Sequence, residues 1–328
     1  MESFVKKSVL FLVVIFALFG VLATLTQAQT ILVKISLQFF ILATIFYLVS
    51  LLLWMISWAY LIKKHSNVSF FSLIVIGLSS IYGSLTPIQL GADALRSIKL
   101  KDFHKISYEK AVPAALIVKG IKFSFIAIIT SIVFFLFLFD TKMDSVLFIA
   151  FLTGFTTVLL GAFLFLAPLK KRWGLAISEF FYGFKNESEL FVKIGDFFQQ
   201  YSIYLEKTDL KTFFVIIVFI ILSWIFEFLA LQFSFFAVGI QLYLSSFLVL
   251  MILFSVLERV PIFPRGIGLV ELFGYYYLST SPLGIVLSAS QIGAVIIVYD
   301  IVRLVIPTVL SFITSAFLFN HYKNKTRK

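Results

Sequence analysis

The sequence predicts an all-α, polytopic membrane protein with six full spans and two re-entrant hairpins in an inverted-topology repeat. Three observations carry that reading: apolar runs of span length, basic residues gathered at the run ends, and a Pro/Gly interruption at a matching place in each half. Of the 328 residues 61% are hydrophobic and 13% charged, with a mean hydropathy of +1.07. No water-soluble core hides that much apolar surface.

A hydrocarbon layer about 30 Å thick needs about 20 apolar residues per helical span. The runs that meet this length are Ser8 to Thr26, Ser36 to Ile62, Ala111 to Phe139, Val146 to Leu169, Thr212 to Gly239 and Gly284 to Phe319. Lys6 and Lys7 ahead of the first run also fit a signal peptide, but the run is long for one and the repeat requires it as a span. The absence of cysteine excludes disulfides, thiolate metal sites and a thiol nucleophile. His65, His104 and His321 are scattered in polar stretches without the i,i+4 spacing of a helical metal pair, so no metal and no cofactor is expected. The 42 phenylalanines read as lipid-facing and packing residues. A net charge of +11 raises the question of nucleic acid, yet Lys and Arg sit at run ends rather than on one soluble face, and no nucleic-acid partner is expected.

The basic clusters are Lys6 and Lys7, Lys63 and Lys64, Arg96 to Lys110, Lys170 to Arg172, and Lys323 to Lys328. The positive-inside rule places all of them, and both termini, on the cytoplasmic side of the cell membrane. That is consistent only if the stretch Phe70 to Leu85 enters from the cytoplasm, breaks between Pro87 and Gly91, and returns. A second stretch, Leu244 to Pro282, is interrupted by Pro261, Pro264, Gly266 and Gly268, which remove amide donors and loosen the backbone; it enters from the outer face. Residues 1–139 and 140–328 then repeat one order of elements in opposite orientations. A short similarity joins the breaks: Pro87-x-x-x-Gly91-x-x-x-Leu95 matches Pro264-x-x-x-Gly268-x-x-x-Leu272. Within 173–207, Leu190, Phe191, Ile194, Phe197, Phe198, Tyr201 and Leu205 recur at helical spacing and predict an amphipathic helix on the cytoplasmic surface, a connector or a docking place for a partner.

Broken backbone in lipid survives only where protein or a cavity surrounds it. Half-helices starting near Gly91 and Gly268 would aim their N-terminal amides at that cavity, which suits an anion. Asp93 and Glu271 fall in their first turns, as ordinary helix-start acids or as a protonatable gate. Lys119 with Lys122 and Asp300 with Arg303 stand at i,i+3 in corresponding runs, and Glu227, Glu258, Arg259 and Arg265 add charge nearby. In the simpler alternative Lys119 and Arg259 snorkel to the interface and Asp300 only neutralises Arg303. The preferred reading is a shared basic cavity in which Arg96, Lys122, Arg265 and Arg303 contact an anionic head group. Lys99 is expected in the cytoplasmic loop, outside that cavity.

Thr86-Pro87-Ile88-Gln89-Leu90-Gly91-Ala92-Asp93-Ala94-Leu95-Arg96 resembles the proline, Gly-x-Asp and Arg motif of the lysylphosphatidylglycerol synthase and flippase transmembrane family. Val260 to Glu271 is similar to that family's second Pro- and Gly-rich break ending in Gly-x-x-Glu, and Tyr299 to Pro307, with Arg303, to its last span. Two departures stand out: Val118-Lys119-Gly120-Ile121-Lys122 replaces a segment that commonly carries an Arg and an acid, and Arg265 stands where a glycine is usual. The resemblance implies lipid handling: a flippase-like protein that binds and translocates an anionic phospholipid or a lipid-linked head group, with no catalytic residue assigned. The alternatives are a membrane-embedded transferase using Asp93, Glu271 or Glu258 as base, and a partner subunit of a separate synthase or a homo-oligomer. Aminoacyl transfer in that family belongs to a separate soluble domain, so a self-contained aminoacyltransferase is not expected here.

Overall fold

The computed structural model describes residues 2–85, 90–137, 145–206, 208–260, 263–280 and 287–325. Among them the regular structure is entirely helical. The chain opens with α1 (Glu2–Thr26), a single short turn α2 (Gln29–Leu32) and α3 (Leu37–Lys64). A helix–break–helix unit follows: α4 (Phe70–Leu78), a 3-10 turn (Ile81–Leu85) and α5 (Gly91–His104). Next come α6 (Tyr108–Phe137), α7 (Ser145–Leu166), α8 (Lys171–Gly183), α9 (Glu189–Glu206) and α10 (Leu210–Ala237). The second helix–break–helix unit is α11 (Leu244–Leu257), a 3-10 turn (Pro264–Gly266) and α12 (Leu269–Thr280). Last, α13 (Ala289–Asp300) continues through a π-helical turn (Ile301–Val305) into α14 (Ile306–Lys325).

Five of these helical stretches are long and apolar enough to cross a bilayer: Leu37–Lys64, Lys110–Leu136, Ser145–Leu169, Leu210–Ala237 and Ala289–Phe319. They match five of the six predicted runs. The predicted run Ser8 to Thr26 lies on α1, whose apolar part, Leu12–Thr26, is shorter. Local sequence sets several boundaries. Asp209 accepts a hydrogen bond from the Thr212 amide at 3.1 Å and caps α10, and Ser288 with Gln291 forms a capping box at the start of α13. Lys63 and Lys64 close α3, where cations offset the helix dipole.

The bundle is built on α3 lying along α10, where Ser50 and Ser223 share a hydrogen bond of 3.0 Å and Phe46 packs on Phe226 and Phe233. One apolar core gathers around α11 with α6, α7, α10, α12 and α13; a second joins the C-terminal half of α3 to α4, α6 and α9. Both broken units sit against these cores. Their 3-10 turns touch each other, so the two breaks meet inside the bundle. At Gly83 an added Cβ would lie 2.7 Å from the Gly91 carbonyl, which shows how tightly the first turn seats on the start of α5.

The segment 173–207 differs from its prediction. Instead of one amphipathic helix it holds most of a hairpin of two, α8 and α9, packed antiparallel. The Ser178 hydroxyl donates to the Gly195 carbonyl (2.8 Å), the Tyr182 hydroxyl donates to Asp196 Oδ1 (2.6 Å), and Phe181 stacks on Phe198. The periodicity from Leu190 to Leu205 captured α9; α8 carries a comparable one, Trp173, Ile177, Phe180 and Phe181 at helical spacing, which the single-helix expectation left out. Tyr201 fastens α9 beneath the bundle by donating to the Phe165 carbonyl at 2.6 Å.

Candidate functional site

At the first break the helix start is built for ion pairing rather than for self-capping. Asp93, in the first turn of α5, bonds no backbone amide among the described residues; its Oδ1 accepts from Arg96 Nη1 (3.1 Å) and its Oδ2 from Lys119 Nζ (2.5 Å). One turn further along α6, Lys122 Nζ donates to Glu227 Oε1 on α10 at 2.6 Å. Gly120, between the two lysines, lets α6 approach α7: a Cβ there would sit 2.8 Å from Phe165 Cβ. All of these charged side chains are buried. The Arg96 guanidinium lies 4.8 Å from the Trp54 ring centre and 5.5 Å from that of Trp58, both on α3. Its Nε and Nη2 are buried and make no hydrogen bond among the described residues.

The second break is organised around Arg303, which is fully buried on the π-helical turn. Its Nε donates to Asp300 Oδ1 (2.6 Å), its Nη1 to Glu258 Oε1 (3.0 Å) and the Arg265 carbonyl (3.1 Å), and its Nη2 to Glu271 Oε1 (2.8 Å). A π-turn inserts one extra residue per turn and re-aims side chains; here it lets Asp300 and Arg303 both face the break. Arg265 answers by donating to the Arg303 carbonyl (2.8 Å) and to the Tyr47 hydroxyl. Glu271, unlike Asp93, does cap its helix, accepting from the Gly268 amide at 2.5 Å. Glu258 also holds Arg259 at 2.8 Å.

Between the two clusters lies a cavity of about 60 Å³. Five cations, Arg96, Lys119, Lys122, Arg259 and Arg265, and two carboxylates, Glu227 and Glu258, line it together with Tyr47, Trp54 and Ser84. Four of the cations are held by carboxylates, Arg96 and Lys119 by Asp93, Lys122 by Glu227 and Arg259 by Glu258. The arrangement is rich in donors, and Arg96 keeps two N–H groups without an acceptor among the described residues.

Of the residues singled out from the sequence, Arg96, Lys122 and Arg265 thus share one cavity, and Asp93 stands directly behind it. Arg303 and Glu271 belong to the adjoining ion cluster, where each of the Arg303 nitrogens already has a protein acceptor. Gly91, Pro264 and Gly266 are buried at the breaks and Gly268 is exposed; Pro87 and Pro261 lie outside the described residues. Arg265, at the position where glycine is usual in the resembled family, adopts φ +50°, beside Gly266 at +69° and Gly268 at +89°. A left-handed turn explains glycine there, and the two hydrogen bonds of Arg265 offset its strain.

Lys119 lines the cavity instead of snorkelling, and Glu227, Glu258 and Arg259 join it. Tyr47, Trp54 and Trp58 gave no signal within an apolar span. Lys99 is corrected outright. It is 1% exposed, and its ammonium donates to the Ser79 carbonyl (2.6 Å), the Ser79 hydroxyl (3.0 Å) and the Ser315 hydroxyl (3.1 Å). The loop expected around Lys99 is helical instead: α5 continues to His104 and turns Lys99, like Arg96, inward.

An all-α polytopic membrane protein with two backbone breaks meeting at buried ion clusters is the class that this fold and site define. The family model of the lysylphosphatidylglycerol synthase transmembrane region matches residues 8–311, and the chain belongs to that family. No curated protein and no solved structure matches the chain.

Proposed function

We propose that the chain is flippase-like: it binds the phosphate of an anionic phospholipid or lipid-linked head group in the cavity between the breaks and carries it across the bilayer. The observation that carries this reading is the Arg96 edge, two buried N–H donors without an acceptor among the described residues, in a side chain that lines a cavity with further cations. An unmet buried donor costs about 1–3 kcal/mol, and an oxyanion would meet both at once. A water needs about 10–15 Å³ of such space, so a cavity of about 60 Å³ suits a phosphate whose acyl chains stay outside it.

The family membership supports a lipid-related role. The inverted repeat of 1–139 and 140–328 supplies a movement, since rocking of one half against the other would open the meeting point of the breaks to either leaflet in turn. The orientation belongs to the same reading, with both termini on the cytoplasmic side of the cell membrane. Single cysteines at Ser107 and Ser188, in a chain without natural cysteine, should label from that side alone.

The decisive experiment is reconstitution into vesicles carrying a labelled anionic phospholipid in one leaflet. Transbilayer movement faster than in protein-free vesicles, and faster than for a zwitterionic control, is the expected result. Movement no faster than in protein-free vesicles, from folded protein, would overturn the proposal.

A further inference from the structure

The ion cluster at the second break contains an arrangement that neither packing nor head-group binding explains. One edge of the Arg303 guanidinium, formed by Nε and Nη2, ordinarily receives both oxygens of a single carboxylate. Here it receives one oxygen from each of two, Asp300 Oδ1 at 2.6 Å and Glu271 Oε1 at 2.8 Å. The two oxygens are therefore neighbours on one guanidinium edge. Two ionised carboxylates cannot share so small a space, and such pairs share one proton instead.

We infer that Asp300 and Glu271 form a proton-binding site, a carboxyl pair on Arg303 that holds a single proton between its members. The assignment of atoms follows from their partners. Both Glu271 oxygens accept hydrogen bonds, from Arg303 and from the Gly268 amide, whereas Asp300 Oδ2 is fully buried and accepts none among the described residues. An ionised oxygen without a donor is costly in that setting, so Asp300 is the member that carries the proton.

The surrounding charges do not remove the need for it. Glu258 adds a third carboxylate on Arg303, Arg259 is committed to Glu258, and Arg265 points at the Tyr47 hydroxyl and a carbonyl. Tyr299 lies under Arg303, and Glu227 on α10 is held by Lys122. From α1 the cluster meets apolar side chains, Ile15, Phe19 and Leu22 among them, which line a groove of about 200 Å³ ending at Glu271 and Gly268. Glu271, with its side chain 17% exposed, is the accessible member, and Asp300, at 0% exposure, the member that stores the proton. This site stands whatever the neighbouring cavity carries.

Infrared difference spectroscopy of the purified protein in lipid discs reads it directly, through the carbonyl stretch of a protonated carboxyl. At neutral pH the wild type should show one such band per chain. A shared proton makes a distinctive demand: Asp300→Asn and Glu271→Gln should each abolish that band, because the remaining acid alone faces Arg303 and ionises, while Glu258→Gln should keep it. A band lost in only one of the two variants, or lost in Glu258→Gln and kept in both others, would overturn the pair. If a variant fails to fold, the wild type still decides, since absence of a protonated carboxyl at neutral pH refutes the proposal.

Discussion

Replacing Arg96 with Gln isolates the free guanidinium edge from the ion pairing that holds the site together. Asp93 keeps Lys119 at 2.5 Å after the change, so no carboxylate is stranded. What disappears is Nε and Nη2, together with the guanidinium stacked on Trp54 and Trp58. Hydrogen bonds to a charged partner contribute about 1.5–3 kcal/mol, which at about 1.4 kcal/mol per tenfold is a loss of roughly 10- to 150-fold in affinity for an anionic lipid. The stacking loss, about 0.5–2 kcal/mol, acts on stability and shows as a lower Tm. Arg96→Lys should recover only part of the binding, because it restores the charge without the planar fork. The assay is binding of a labelled anionic phospholipid to purified protein, with transbilayer movement in vesicles as the second readout. Lys193→Gln, whose side chain is 74% exposed and paired with Glu189 at 3.8 Å, serves as control and should change neither. Wild-type binding by a folded Arg96→Gln protein would refute the reasoning.

Glu227→Gln leaves the Lys122 ammonium buried without its carboxylate, and should cost about 3–5 kcal/mol in thermal unfolding, much of it regained when Lys122→Met is added. Gly266→Ala should destabilise more than Gly268→Ala: both force a side chain to positive φ, but at Gly266 the added Cβ also meets Glu258 Cα at 2.8 Å, whereas Gly268 has open space. Lys99→Met, in place of a solvated loop change, should be close to neutral in Tm, since it removes a buried charge that is paired with no carboxylate in the described residues. Lys99→Ala should instead lose about 2–5 kcal/mol by leaving a cavity.

The sequence by itself determined that this chain is helical and lives in a bilayer, because apolar runs of span length admit no other way to satisfy their backbone. It also located both breaks, since proline and glycine act on the backbone within a few residues of where they stand. The charges Asp93, Arg96, Lys122, Arg265, Glu271 and Arg303 were visible for the same reason: ionisable groups in apolar runs are rare. Their partners were not. Lys119 with Asp93 is separated by 26 residues, Lys122 with Glu227 by 105, and Arg303 with Glu258 by 45, and no local rule sets such pairings. Lys99 was misread because the charge of a lysine says nothing about which face of its helix the bundle covers. Tyr47 and Trp54 entered the cavity only through the packing of α3 along α10. Tertiary structure alone decided that one edge of Arg303 faces two carboxylates, because that depends on a π-turn, a left-handed break and α12 arriving at one point.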